Sequence, residues 1–94
     1  MERTSHIRAE VIVKGRVQGV WFRQSTCDMA KEQGLTGWCR NNSDGTVSAI
    51  FEGDEPAVEF AVNWCAHGPE MARVDDLQIK RTVATGEFNS FEVR

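Results

Sequence analysis

The chain has 94 residues, 40% of them hydrophobic, which suffices for one compact domain over residues 1–94 and excludes two. Acidic side chains outnumber basic ones by 14 to 11, and this net charge of −3 argues against general nucleic-acid binding, which favours a basic surface. No apolar run approaches the roughly 20 residues that span a bilayer, so no membrane segment is predicted.

The first elements in chain order are a strand and a helix. Residues 7–14 alternate between apolar and polar side chains, which is typical of a half-buried strand, with Ile12 as an apolar exception on the polar face. Residues 15–19 interrupt this pattern. The period then becomes helical over residues 21–33, and Gly34 is placed to end that helix.

Two further strands and a hairpin follow. Residues 35–40 predict a second strand, with Trp38 as its large anchor. The Asp-Gly pair within residues 41–45 is a strong turn signal and predicts a hairpin loop. Alternation over residues 46–52 predicts the third strand, so the two strands are expected to pair through this hairpin.

The last part of the chain predicts a second helix and two more strands. Apolar residues recur at helical spacing over residues 55–66, and a fourth strand lies between residues 72 and 83, with a turn or bulge at residues 75–76. Residues 91–94 alternate as a short terminal strand. The order β-α-β-β-α-β plus a last strand predicts an α+β fold, a ferredoxin-like split β-α-β sandwich with a mainly antiparallel sheet and two helices on one face.

A candidate anion-binding loop lies between the first strand and the first helix. Gly15 and Gly19 bracket it, and glycine permits the positive φ angles that let successive N–H groups converge on one point. Arg23 follows near the helix start, where the unpaired N–H groups of a helix N-terminus also favour an anion. A permanently charged guanidinium there matches phosphate or carboxylate oxygens. Trp21 either lines the mouth of this site or covers the loop.

Several phosphate-site chemistries do not fit this loop. No Gly-Lys-Ser/Thr follows it and it is not Gly-x-Gly-x-x-Gly, so P-loop and dinucleotide sites are excluded. No cysteine precedes it; Cys27 lies after Arg23 and is expected to pack inward, which disfavours a covalent thiol intermediate. His6 and His67 sit at element ends, and no metal-ligand cluster is evident.

The remaining candidate is Asn41, at the end of the second strand and the mouth of the hairpin. Its amide takes no proton at neutral pH, but it can orient a water by donating and accepting hydrogen bonds. Such a site suits a reaction that needs little acid–base help. Phosphoryl transfer to water with a carboxylate leaving group fits, because positioning and electrostatic stabilisation supply most of its catalysis.

Two stretches of the chain resemble the signatures of the acylphosphatase family. Residues 15–23 (GRVQGVWFR) resemble the first signature, and residues 37–41 (GWCRN) followed by 44–47 (DGTV) resemble the second. Residues 52–53 and 91–94 also match the family pattern, as does the Gly-Pro pair at 68–69. The resemblance implies hydrolysis of the carboxyl-phosphate bond of acyl phosphates, without a cofactor, a metal or a covalent intermediate.

The resemblance also implies roles for particular residues. Arg23 is expected to hold the substrate phosphate, and Asn41 to position the attacking water. The backbone of the loop is expected to cradle the phosphate through Arg16, Val17, Gln18, Gly19 and Val20. Cys39 departs from the valine or alanine usual in the second signature, and it is a small replacement that tolerates burial.

Partners and location follow from the same resemblance and from composition. The expected ligands are an acyl phosphate and inorganic phosphate, the latter as product and competitive ligand. No nucleic acid or membrane partner is expected. The protein is expected to be a monomer. The polar N-terminus lacks a signal-peptide core, which predicts a cytoplasmic protein. Three cysteines without a Cys-x-x-Cys pair predict reduced thiols rather than a zinc or redox site.

Two alternatives stay open on the residues alone. Ferredoxin-like sandwiches also serve as binding modules, for example for RNA, but the strand over residues 46–52 carries only Phe51 and no basic residue. The second alternative is an anion-binding domain that acts on carbamoyl phosphate within a larger enzyme. Acyl-phosphate hydrolysis in the presence of a chelator distinguishes these alternatives.

Overall fold

A computed structural model describes residues 6–94, which form five strands and two helices. In chain order these are β1 (His6–Arg16), α1 (Phe22–Glu32), β2 (Thr36–Asn41), β3 (Val47–Asp54), α2 (Glu55–Cys65), β4 (Arg73–Val83) and β5 (Phe91–Val93). No helix among the described residues is long and apolar enough to cross a membrane.

The strands form one sheet in the order β4-β1-β3-β2-β5. Every neighbouring pair is antiparallel except β2 and β5, which run parallel. Helix α1 packs on β2 and β5, whereas α2 packs on β1 and β3, so both helices cover one face of the sheet. The predicted α+β, ferredoxin-like fold is confirmed.

The core lies between the sheet and the helices. Alternate residues of β1 point into it: Ala9, Val11 and Val13 are each no more than 1% exposed, while Ile12 on the other face is 37% exposed. Phe51 of β3 stacks on Phe91 of β5, with ring centroids 5.4 Å apart. The period-2 pattern of the sequence therefore placed the inward face of β1 correctly.

Helix α1 contributes a mostly apolar stripe, as the helical period over residues 21–33 predicts. Phe22, Thr26, Met29 and Ala30 are buried, and Thr26 satisfies its hydroxyl by donating to the Phe22 carbonyl at 2.7 Å. Gly34 adopts a φ of 71° just after the helix, in agreement with its predicted role as the helix stop.

The predicted anion-binding loop over residues 15–19 was misplaced by two residues. Gly15 and Arg16 continue β1 and pair with Val74 and Arg73 of β4. The pairing register shifts after Lys14, so that Asp75 is the extra residue of a bulge. The predicted irregularity at residues 75–76 is thus confirmed, and it lets β1 extend through Arg16, leaving residues 17–21 as the loop.

The prediction for Trp38 needs a correction as well. Its neighbours Gly37 and Cys39 are buried on the helix-covered face, so Trp38 lies on the opposite face of the sheet. There its half-buried ring is flanked by the guanidinium groups of Arg40, at 5.0 Å, and Arg94, at 5.3 Å. Trp38 therefore stacks with arginines outside the core, because strand residues alternate between the two faces.

A buried carboxylate anchors the connection from β4 to β5. Glu52 is 3% exposed and accepts hydrogen bonds from the main-chain amides of Thr85 and Gly86, both at 3.0 Å. Burial by itself would raise the pKa of Glu52, but these amide bonds, the Thr85 hydroxyl and the charge of Arg8 together hold it below its ordinary value. The ionised carboxylate thus fixes the loop that leads into β5.

Candidate active site

The loop after β1 is held by its apolar side chains and leaves its middle at the surface. Val17 and Val20 are buried, at 1% and 4% exposure. Between them Gly19 is exposed and has a φ of 73°, and a side chain at this position would meet nothing within 4 Å. The two valines therefore anchor the ends of a short backbone arch that faces open space.

Helix α1 begins immediately after this arch. Its first-turn main-chain bond runs from the Ser25 amide to the Trp21 carbonyl at 3.0 Å, so the amides of residues 22–24 have no partner within the helix. The first turn contains no acidic residue. The first turn therefore presents three features that attract an anion: unpaired amides, the positive end of the helix dipole and the guanidinium of Arg23. No carboxylate in that turn neutralises them.

Arg23 is positioned by its neighbours in the sequence and in space. Phe22 is buried against Trp64 in an edge-on contact, with ring centroids 5.6 Å apart, and this fixes the start of the helix. Nη1 of Arg23 donates a hydrogen bond to the main-chain oxygen of Arg94 at 3.1 Å. The thiol of Cys39 lies 3.5 Å from the carbonyl of Arg23. Arg23 is therefore held at its backbone by Cys39 and at its guanidinium by Arg94.

Asn41 is the last residue of β2, and its side chain is exposed. The hairpin that follows is stabilised by its own hydrogen bonds. The side chain of Asn42 donates to the hydroxyls of Thr46, at 2.9 Å, and Ser48, at 2.7 Å. Its main-chain N–H donates to the Thr46 carbonyl at 2.8 Å. These bonds fix the backbone on which Asn41 is presented.

One side chain connects the loop to the hairpin. Nε2 of Gln18 donates to the carbonyl of Asn42 at 2.9 Å and to that of Thr46 at 3.0 Å. Sequence reasoning assigned Gln18 only through its backbone and missed this connection. One signal for this connection was present in the sequence: Gln18 is a long amide side chain between two apolar residues, Val17 and Val20. If those two are buried, its amide needs polar partners nearby.

Arg23 and Asn41 line one cavity of about 400 Å³, although they are far apart in the chain. Its other lining residues are Val17, Gly19, Trp21, Phe22, Gln24 and Val93. Of the predicted loop residues, only Val17 and Gly19 are among them. Val20 is buried, Gln18 turns to the hairpin, and Arg16 is exposed at the end of β1.

The three cysteines are free thiols, and all are buried. Burial raises the pKa of both Cys39 and Cys65 to about 12, so these two thiols stay protonated at neutral pH. They are poor nucleophiles, and the predicted inward packing of Cys27 is confirmed by its 5% exposure. Over residues 6–94, no three His, Cys, Asp or Glu side chains converge as a metal-binding group.

The chain is similar to known acylphosphatases over nearly its whole length. The acylphosphatase family profile matches residues 9–93. An acylphosphatase of Pelotomaculum thermopropionicum is 49% identical over 89 residues, covering 95% of this chain and 97% of that protein. The structure of an acylphosphatase from Coxiella burnetii superposes with a TM-score of 0.90 at 32% identity, over the whole of both chains.

A further similarity is to one part of a larger protein. A crystal structure of full-length HypF in the phosphate- and nucleotide-bound form matches with a TM-score of 0.84 and 28% identity, covering all of this chain and 12% of that one. In contrast, the Pelotomaculum protein is matched over 97% of its own length, and the family profile covers residues 9–93 of this chain. The chain therefore belongs to the acylphosphatase family, enzymes that hydrolyse acyl phosphates.

Proposed function

We propose that the phosphoryl group of an acyl phosphate binds in the cavity between the 17–21 loop and Asn41. The main-chain amides of the loop and of the first turn of α1 hold its oxygens, together with the guanidinium of Arg23. Arg16, at the end of β1, contributes positive charge at the edge. The observation that carries this proposal is that Arg23 and Asn41 line the same cavity, at the N-terminus of a helix whose first turn has no acidic residue.

The proposed reaction is a direct displacement at phosphorus. Asn41 orients a water, whose oxygen forms a bond to phosphorus while the bond from phosphorus to the carboxylate oxygen breaks. The electron pair leaves with the carboxylate, which needs no proton at neutral pH. The proton of the water goes to a phosphoryl oxygen of the substrate, so the site requires no protein base and forms no covalent intermediate. Loop amides and Arg23 stabilise the charge of the transition state.

Two variants test the assigned roles. Arg23→Ala is expected to abolish both turnover and inhibition by inorganic phosphate. Asn41→Ala is expected to lower kcat by about 100- to 1000-fold, the range seen when one transition-state hydrogen bond is removed, while competitive inhibition by phosphate is nearly unchanged. The measurements are steady-state hydrolysis of acetyl phosphate and the phosphate inhibition constant.

Matched controls separate these effects from loss of folding. Arg81→Ala removes an exposed arginine of β4 that pairs with Glu59 and does not line the cavity, and Asn63→Ala removes an exposed amide on α2. Both controls should keep near wild-type turnover. If Asn41→Ala retains most of its kcat, the role proposed for this amide is wrong.

An assay with excess chelator tests the reaction class. Full activity is expected, and chelator-sensitive activity would contradict the metal-free mechanism. The similarity to part of the larger HypF chain motivates a second candidate, an anion-binding domain that acts within a larger enzyme. Absence of hydrolysis by folded protein would favour that candidate. A cytoplasmic location and a monomeric state remain predictions from the sequence.

A further inference from the structure

Trp21 has a conformation and an exposure that its place in the fold does not explain. Among the described residues it is the one non-glycine residue with a positive φ, 64°, in the left-handed region. A bulky side chain rarely adopts this conformation, and Trp21 makes no side-chain capping bond to α1. Its side chain is also 78% exposed. Neither capping nor core packing therefore accounts for a tryptophan here, and such an outlier beside a site points to function.

The position of Trp21 in the cavity indicates which part of a substrate it meets. In the binding mode proposed above, the phosphoryl group lies against the loop amides and Arg23. Val17 and Phe22 are both buried there, at 2% exposure or less, and offer no free surface. The acyl group, attached through one phosphate oxygen, must then extend towards the mouth. Among the lining residues, accessible apolar surface comes from Trp21 and, at 40% exposure, from Val93.

Resting on the function proposed above, we propose that Trp21 forms an acyl-group subsite that selects aromatic acyl phosphates over small aliphatic ones. A flat exposed indole offers a ring face for offset or edge-on stacking, which a methyl group cannot exploit. The lining contains no acidic side chain, and Gln24 is its one neutral polar residue besides Asn41. A neutral, planar acyl group such as benzoyl therefore matches the mouth of this cavity.

The experiment compares benzoyl phosphate with acetyl phosphate in wild type, Trp21→Gly and Trp21→Phe. Glycine removes the indole and adopts the positive φ without strain, whereas phenylalanine keeps an aromatic face. Trp21→Gly is expected to lower the ratio of kcat/KM for benzoyl phosphate over acetyl phosphate by about three- to tenfold, chiefly through KM, and Trp21→Phe should retain most of it. Phe60→Ala removes another exposed aromatic, one that lies on α2 outside this cavity, and should leave the ratio unchanged.

An unchanged ratio in Trp21→Gly would overturn the subsite. If kcat/KM fell equally for both substrates, the indole would only shape the loop. Calorimetric binding of benzylphosphonate and methylphosphonate gives a readout that does not depend on turnover. If wild type hydrolyses neither substrate, the proposed function fails, while a preference for benzylphosphonate that Trp21→Gly removes would still support the subsite. An equal affinity of wild type for the two phosphonates would overturn it.

Discussion

Replacement of Glu52 by glutamine tests whether one buried carboxylate holds the connection into β5. Glu52 accepts four hydrogen bonds: from the Thr85 and Gly86 amides at 3.0 Å each, from the Thr85 hydroxyl at 2.9 Å, and from Nη1 of Arg8 at 3.3 Å. Glutamine has nearly the same shape, so the change isolates charge and hydrogen-bonding capacity from volume.

The size of the effect follows from which donors lose their acceptor. The amide oxygen of glutamine can replace Oε2 and keep the bonds from the Thr85 amide, the Thr85 hydroxyl and Arg8. Its NH₂ group then replaces Oε1 and faces the Gly86 amide, which is also a donor and is left without an acceptor. Because a stranded donor costs about 1–3 kcal/mol and the bonds that remain lose their charge, we expect Glu52→Gln to lower the free energy of unfolding by about 2–3 kcal/mol.

The pH dependence has a defined sign. The pKa of Glu52 is below its ordinary value of 4.5 in the folded protein. The stabilisation is therefore complete above that ordinary value, and it is lost as the pH falls through the lower folded-state pKa. The difference between wild type and Glu52→Gln should be largest at neutral pH and should shrink as the solution is acidified.

Urea unfolding at neutral and acidic pH measures these differences. Glu59→Gln is the matched control, because Glu59 makes a bidentate pair with Arg81 at 2.7 and 2.8 Å on the exposed surface. Such exposed pairs contribute up to about 1 kcal/mol. A loss in Glu52→Gln no greater than in this control, or one that does not shrink on acidification, would refute the reasoning.

Two more predictions concern the site and the core. Gln18→Ala removes both hydrogen bonds between the loop and the hairpin, and it should lower kcat about tenfold or more because Asn41 is no longer held against the loop. The measurement is the kinetics of acetyl phosphate hydrolysis, with Gln78→Ala, at an exposed position, as control. A change in kcat below twofold would show that these bonds do not position the site. With a pKa of about 12, Cys39 and Cys65 are deprotonated in only about one molecule in ten thousand at pH 8. They should resist an aromatic disulfide reagent until urea unfolds the protein, and rapid labelling of the native chain would contradict this.

The period of the hydrophobic pattern was the most reliable guide to the fold. Burial of one face of a strand or helix is a local property, so alternation in β1 and the stripe of α1 were both readable from neighbouring residues. The bulge at Asp75 was also visible, as a break in that alternation. Arg23 and Asn41 were assigned from paired signatures, and the structure brings them to one cavity, whereas their catalytic roles stay predictions.

Other features depend on residues that are distant in the chain. The extension of β1 through Arg16 required pairing with β4, and the orientation of Trp38 required the register of β2. Gln18 and Glu52 acquired their partners only when separate segments met, because a hydrogen bond between side chain and backbone leaves no periodic trace in either segment.

By itself, the sequence determined the strand and helix order, the inward faces and the family signatures of this protein, since each is encoded in local spacing. Tertiary structure alone decided that Gln18 connects the loop to the hairpin, that Glu52 anchors the path to β5, and that an exposed Trp21 stands at the mouth of the cavity. Those relations depend on three-dimensional proximity, which local residue patterns do not specify.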